Sequence, residues 1–154
     1  MCLKTNFFPK IKTAEEDIIC YKVVKINEDG EMVTPFQEMK IQFDKEYTEK
    51  LFETGIWLVK EQASRSYICS STTTGDYRFN AYMFHTFADE REAAFFAGVV
   101  NSEHPQMHCV VINAIIPKGS EYIEGDFWYA YFIEGDWDHA TFQSFGSEKI
   151  IYKS

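Results

Sequence analysis

Alternating apolar and polar residues mark several short strands along this chain. Apolar side chains recur at every second position between Ile18 and Ile26, with Cys20 on the same face. A period of two is typical of a β-strand with one buried face, so the pattern predicts a strand across these residues. Lys22 falls on that apolar face. The Asn-Glu-Asp-Gly run at 27–30 predicts a turn after the strand.

The following segments mix strand and helix patterns. Residues 39–43 alternate between apolar and polar side chains and predict a second extended segment. Asp44 is a residue type that caps helices, and Tyr47 and Leu51 stand four positions apart on one helical face. A short helix is therefore predicted over 44–52. Further short strands are predicted at 56–59 and 67–69.

Aromatic side chains dominate the middle of the chain. Large residues occupy both alternating faces of 77–87, which predicts a strand covered on two sides. Thr86 or Asp89 is suited to cap a following helix, whose acidic first turn complements the helix dipole. Gly98 and Asn101 are predicted to end that helix.

The last third of the chain carries strand patterns and a short repeat. Residues 109–116 are apolar except for one Asn and predict a central strand. The sequence Ile-Glu-Gly-Asp at 123–126 recurs at 133–136 and predicts two turns, with a strand over 127–132 between them. A final strand is predicted over 148–152.

These elements together predict one fold class. The 154 residues have the length of one domain, and no linker or low-complexity tract divides them. We therefore expect a single compact α+β domain over 1–154, with a mostly antiparallel sheet and one or two short helices. The N-terminal segment 1–13 is predicted to be flexible or loosely packed.

Charge and composition exclude several classes of partner. The chain has 24 acidic and 15 basic residues and a net charge of −9, which disfavours binding to nucleic-acid phosphates. No run of about 18 apolar residues predicts a membrane span. Residues 1–13 lack the apolar core of a secretion signal, so a cytoplasmic location is predicted.

Cysteine and histidine spacing predicts no metal site. The four cysteines stand far apart and form no Cys-x-x-Cys pair, so reduced thiols are expected. His104 and His108 precede a strand and do not share a helical face, as a pair of ligands at this spacing would require. We predict neither a metal nor a cofactor from these residues.

Aromatic and acidic residues interleave near the C-terminus. Trp128, Tyr131 and Trp137 stand close in sequence to Glu124 and Glu134. Aromatic side chains are enriched at binding interfaces because they combine a large apolar area with a polar edge. We expect these five side chains to form a surface that binds a protein or a small-molecule ligand. The net negative charge of the whole chain suits a solubilising surface, a basic protein partner, or mimicry of nucleic acid toward a nucleic-acid-binding enzyme.

Three sequences carry a resemblance that covers most of the chain. They are Cys-Tyr-Lys-Val-Val at 20–24, Ile-Pro-Lys-Gly-Ser-Glu-Tyr at 116–122 and Ser-Glu-Lys-Ile-Ile at 147–151. Together they resemble small uncharacterised proteins of phages and gut-type bacteria. The resemblance implies a protein of phage or mobile-element type and carries no activity with it.

The order of elements also resembles the ADP-ribosyltransferase fold, in which conserved strand motifs surround NAD. Tyr21-Lys22 would stand for its aromatic-Arg pair, His85-Thr86-Phe87 for its Ser-Thr-Ser strand and Ser147-Glu148-Lys149 for its Glu-x-Glu strand. This resemblance implies an NAD-using enzyme in which Lys22 and His85 place the cofactor and Glu148 activates the nucleophile. All three motifs are altered, and Lys22 lacks the planar two-point contact that Arg makes with phosphate.

These patterns lead to one principal prediction of function and two alternatives. The principal prediction is a non-catalytic cytoplasmic binding or accessory protein, of phage or mobile-element type, that uses the aromatic and acidic C-terminal surface. The first alternative is the NAD-using enzyme with catalytic residues Lys22, His85 and Glu148. The second is an acidic inhibitor of a host defence protein. Whether the chain is an enzyme stays open, with the residues favouring a binding role.

Overall fold

The structure is a computed structural model that describes residues 3–6, 10–35, 38–48, 68–71, 75–80, 83–133 and 135–154. This part of the chain forms a mostly antiparallel sheet and one helix, α1 (Glu90–Glu103). The predicted mostly antiparallel sheet with a short helix is confirmed. The strands are β1 (Leu3–Asn6), β2 (Lys12–Thr13), β3 (Ile18–Ile26), β4 (Met32–Val33), β5 (Glu46–Thr48), β6 (Ile68–Ser71), β7 (Gly75–Asn80), β8 (Phe84–Phe87), β9 (Cys109–Ile116), β10 (Glu121–Ile133), β11 (Asp136–Ser147) and β12 (Lys149–Lys153).

The described strands follow the order β5-β12-β9-β3-β8-β11-β10-β1-β7-β6, with β2 beside β10 and β4 beside β3. Neighbouring strands lie about 4.8 Å apart, so β12 and β11, four steps apart in this order, would be about 19 Å apart in a flat sheet. A single residue, Glu148, connects them, and two Cα steps span at most about 7 Å. The sheet therefore curls until the ends of β11 and β12 meet.

The two faces of the curled sheet support two clusters of buried side chains. Tyr21 and Val23 of β3 contribute to the first cluster, which also includes residues of α1, and Ile18 and Cys20 contribute to the second cluster on the opposite face. Aromatic rings dominate the first cluster. Its buried members are Val23, Phe87, Ala93, Phe96, Ala97, Val100, Cys109, Phe127 and Phe142. The second contains Ala14, Cys20, Ala114, Ile116, Phe145, Ile150 and Tyr152.

Three sequence-predicted elements are confirmed. β3 and β9 have the predicted bounds. The carboxylate of Asp89 caps α1 by accepting hydrogen bonds from the backbone N–H groups of Arg91, at 2.8 Å, and Glu92, at 3.1 Å. The prediction that Gly98 and Asn101 end this helix is wrong, because α1 continues to Glu103.

The prediction of a helix over 44–52 is wrong where the structure describes it. Residues 46–48 form β5, which pairs with β12 at the edge of the sheet. The ring of Tyr47 lies 5.6 Å from that of Tyr152. Long-range pairing therefore overrides the local helical pattern. Residues 49–52 and the strand predicted at 56–59 lie outside the described residues.

The segment 77–87 was predicted as one strand, and it contributes to two. β7 pairs with β1 and β6, whereas β8 pairs with β11 and β3. The repeat at 123–126 is also not a turn, because these residues lie inside β10. The second copy does mark a turn: Gly135 has a φ of +81°, and it links β10 to β11. Sequence patterns gave no sign of β11 as a strand.

The N-terminal residues contribute strands to the sheet. β1 pairs with β7 along its whole length and with β10 at one position, and β2 pairs with the start of β10. Within the described part of the chain, no helix is long and apolar enough to cross a membrane.

Candidate functional site

Lys22 and His85 meet at the point where β8 separates from β3. The two strands share a single registered pair, Tyr21 with Phe87. Beyond it, the ammonium group of Lys22 donates a hydrogen bond to the main-chain carbonyl oxygen of His85 at 2.8 Å. Lys22 is only 7% exposed. The lysine therefore satisfies a backbone acceptor at the place where strand pairing ends.

Burial controls the charges at this junction. It lowers the pKa of Lys22 to about 8, an effect that the neighbouring Cys20 partly opposes. Burial also raises the pKa of the Cys20 thiol to about 11, against smaller lowering by the nearby Thr86 hydroxyl and by the charge of Lys22. Lys22 thus remains mostly charged and Cys20 neutral near pH 7. A buried cation held by a carbonyl oxygen acts as a structural tie.

The imidazole ring of His85 is enclosed by aromatic rings. It lies 5.2 Å from the ring of Phe87 and 5.0 Å from that of Phe127, and the residue is 4% exposed. Neither ring nitrogen has a hydrogen-bond partner among the described residues. Burial, followed by the charge of Lys22, holds the pKa of His85 well below its usual 6.5. The ring therefore stays neutral at physiological pH.

Glu148 lies at the corner between β11 and β12 and binds the start of β10. Its carboxylate accepts a hydrogen bond from the backbone N–H of Glu121 at 2.9 Å, and its own N–H donates to the carbonyl oxygen of Glu121 at 3.1 Å. Burial and the charge of Glu148 raise the pKa of the Glu121 carboxyl. Of the three predicted catalytic residues, the structure places Lys22 and His85 together, whereas Glu148 is engaged with Glu121.

The hairpin of β10 and β11 carries the second group of predicted site residues. Tyr131 stands opposite Asp138, and its hydroxyl lies 3.4 Å from the carboxylate. The ring of Phe95, on α1 and 48% exposed, lies 5.9 Å from the ring of Tyr131. Trp137 is 70% exposed and precedes Asp138, so it stands on the other face of the hairpin. Tyr131 and Trp137 therefore share the hairpin and present opposite faces.

The remaining predicted surface residues have different positions. Glu124 is exposed on β10 and forms an ion pair with Lys12 at 3.0 Å. Trp128 pairs with Thr141 in the backbone register, and its side chain lies outside the described residues, as does Glu134.

Sequence patterns missed Phe95 as a surface residue. The buried positions of α1 are 93, 96, 97 and 100, a spacing typical of one helical face. Phe95 falls outside that spacing, which was the available signal that its ring stands at the side of the helix. In the structure it packs on Tyr131 and on Phe142.

An open surface groove of about 800 Å³ lies between residues 10–18 and Tyr122. Its charged residues have both signs, and several are engaged within the protein. Lys12 pairs with Glu124, and the carboxylate of Asp17 accepts a hydrogen bond from the backbone N–H of Lys118 at 2.8 Å. These contacts join residues 12 and 17 to β10 and to the turn that precedes it.

No protein-family model, curated protein or solved structure matches this chain. The described residues contain no group of three or more His, Cys, Asp or Glu side chains placed to hold a metal ion. Within the described part of the chain, the surface of the β10–β11 hairpin and the buried junction at Lys22 are the two features on which we base a proposal of function.

Proposed function

We propose that this chain is a non-catalytic binding protein, an accessory protein of phage or mobile-element type. Its binding region is the outer half of the β10–β11 hairpin, with Trp137 on one face and Phe95, Tyr131, Asp136 and Asp138 on the other, and we call this region the hairpin surface. The observation that carries the proposal is the exposed indole of Trp137, on a hairpin whose opposite face presents two further aromatic rings. Trp and Tyr supply much of the binding energy of protein interfaces.

The hairpin surface is rigid enough to hold aromatic anchors. β10 and β11 pair at every position from Tyr122 with Ser147 to Ile133 with Asp136. Below the surface, the ring of Phe96 packs at 5.0 Å from the rings of both Phe127 and Tyr129. A preorganised aromatic side chain loses little conformational entropy on binding, which increases the affinity that its contact area provides.

The proposal predicts that partner binding depends on Trp137. Affinity purification with wild type, Trp137→Ala and Ile19→Ala, quantified by mass spectrometry, tests this dependence. Ile19 is a matched control because it is 67% exposed and lies on β3, away from the hairpin. Partners should be depleted at least about tenfold with Trp137→Ala and retained with Ile19→Ala. Equal recovery with both variants, with the fold intact, would exclude the hairpin surface as the binding site.

The hydrogen bond from Lys22 to the main-chain oxygen of His85 brings together two residues of a second candidate, the NAD-using enzyme. In this alternative both residues would place the cofactor, and Glu148 would activate the nucleophile. The burial of Lys22 and its bond to a main-chain oxygen favour the structural role instead. Incubation with NAD and detection of free nicotinamide tests the enzyme. Release that continues undiminished in Glu148→Ala would exclude this mechanism.

A further inference from the structure

We infer that the hairpin surface binds an extended protein segment rich in lysine and arginine, which lies along the outer half of the β10–β11 hairpin. This inference rests on the proposed function and adds the chemistry of the partner. Three features support it: the distribution of charge along the chain, the lack of further strand pairing along the outer half of the hairpin among the described residues, and the placement of carboxylates on one hairpin face and Trp137 on the other.

The negative charge of the chain is concentrated on the hairpin. Residues 121–147, which form the hairpin, include six Asp and Glu residues and no Lys or Arg, so they contribute −6 to the net charge of −9. The carboxylates of Asp136 and Asp138 stand at the outer half, where both residues are exposed. A cationic partner is therefore attracted toward the end that carries Trp137.

The outer half of the hairpin has room for an extended segment. Among the described strands, β8 pairs with residues 144–147 of β11, and β1 and β2 pair with β10 at Asp126 and at residues 121–122. Between Trp128 and Thr141, the described strand pairing is that of β10 with β11. Both edges of this half are thus approachable within the described part of the chain. An extended segment projects alternate side chains to opposite sides, so it can reach both hairpin faces.

The chemistry of the two faces suits cationic side chains. On one face Asp138 stands opposite Tyr131, while the carboxylate of Asp136 is oriented by accepting the backbone N–H of Trp137 at 2.8 Å. A carboxylate retains further acceptor sites and can take the planar pair of N–H groups of an arginine. On the other face, the exposed indole of Trp137 attracts a lysine or arginine through its π system. Charge and aromatic contact therefore favour the same partner.

Peptide binding to the intact protein tests the inference. The probes are a short synthetic peptide with lysine and arginine at alternate positions and the same peptide with glutamine in their place. The variants are Trp137→Ala, the pair Asp136→Asn with Asp138→Asn, and a control pair, Glu28→Gln with Asp29→Asn. The control removes the same charge from the exposed turn after β3. Circular dichroism establishes that each variant is folded.

We expect the basic peptide to bind and the glutamine peptide not to bind. Trp137→Ala should weaken binding at least about tenfold. The Asp136 and Asp138 pair should weaken it about fivefold, and the control pair less than about twofold. Raising the ionic strength from about 0.1 M to about 1 M shortens the Debye length from about 10 Å to about 3 Å and should weaken binding further.

Three results would overturn the inference. They are equal binding of the glutamine peptide, equal weakening by the control pair, and full displacement of the basic peptide by a free polyamine at matched charge concentration. Each leaves the proposed function standing if natural partners are still lost with Trp137→Ala. If Trp137→Ala leaves the binding of both the peptide and the natural partners unchanged, the proposed function is excluded as well.

Discussion

Replacing His85 with Phe should remove a source of acid sensitivity from the fold. The wild-type ring is buried between Phe87 and Phe127, and its pKa is held well below 6.5 by burial and by the charge of Lys22. In the unfolded chain the same ring takes up a proton near its ordinary pKa of 6.5. Acid therefore favours the unfolded state through this one residue.

The size of the effect follows from proton linkage. The pKa of His85 is lower in the folded state, so its contribution to stability is complete above pH 6.5 and is lost as the pH falls toward the folded pKa. Each pH unit in that window costs about 1.4 kcal/mol, so lowering the pH from about 6.5 to about 5 removes about 2 kcal/mol of unfolding free energy. Because Phe does not titrate, His85→Phe should lack this slope. Its absolute stability depends separately on how the larger ring packs.

Urea unfolding at several pH values between 7 and 5 measures the difference. Wild type and a His108→Gln control, which changes an exposed histidine, should lose stability in parallel, and His85→Phe should lose about 2 kcal/mol less. Far-UV circular dichroism follows the unfolding of the sheet. If the unfolding free energies of wild type and His85→Phe depend on pH with the same slope, His85 takes up its proton freely in the folded state. The conclusion that its ring is enclosed and neutral would then be wrong.

Three further changes test other parts of the structure. Lys22→Met should remove a pH dependence of stability, because the pKa of Lys22 falls to about 8 on folding. Between pH 8 and 9, the unfolding free energy of wild type measured in urea should rise by about 1 kcal/mol relative to that of the variant. Parallel pH curves for the two proteins would contradict the buried ammonium group. Asp89→Ala removes the α1 cap and should lower the free energy of unfolding by about 1 kcal/mol, whereas Asp89→Asn should retain most of the capping stability. Phe96→Ala should lower the free energy of unfolding by about 3–5 kcal/mol in chemical denaturation. The reason is that its fully buried ring contacts four other aromatic rings of the first cluster. A loss below about 1 kcal/mol would contradict that packing.

Local sequence patterns predicted some parts of the fold well. β3 and β9 were predicted with their observed bounds, and Asp89 was one of the two caps predicted for α1. Each has a strong signal within its own residues: a period of two, an apolar run or a capping side chain. β5 was missed because it is only three residues long and is held in place by pairing with β12.

The candidate site was only partly accessible from sequence. Aromatic and acidic composition indicated Trp137 and Tyr131, but it placed them on one surface, whereas the register of β10 with β11 places them on opposite faces. Phe95 was overlooked because the strand that it meets is distant along the chain. Lys22 and His85 were suspected of meeting, and the structure brings them together through a main-chain oxygen instead of through a shared ligand.

The sequence by itself determined the charge of the chain, its aromatic content, and which residues share a face of the most regular elements. Periodicity reports these properties because they depend only on neighbours within the element. The tertiary structure decided what each face meets: the carbonyl oxygen that receives Lys22, the corner at which Glu148 binds Glu121, and the helix side that places Phe95 on Tyr131. These contacts depend on strand order and register, which are set by packing between residues far apart in the chain.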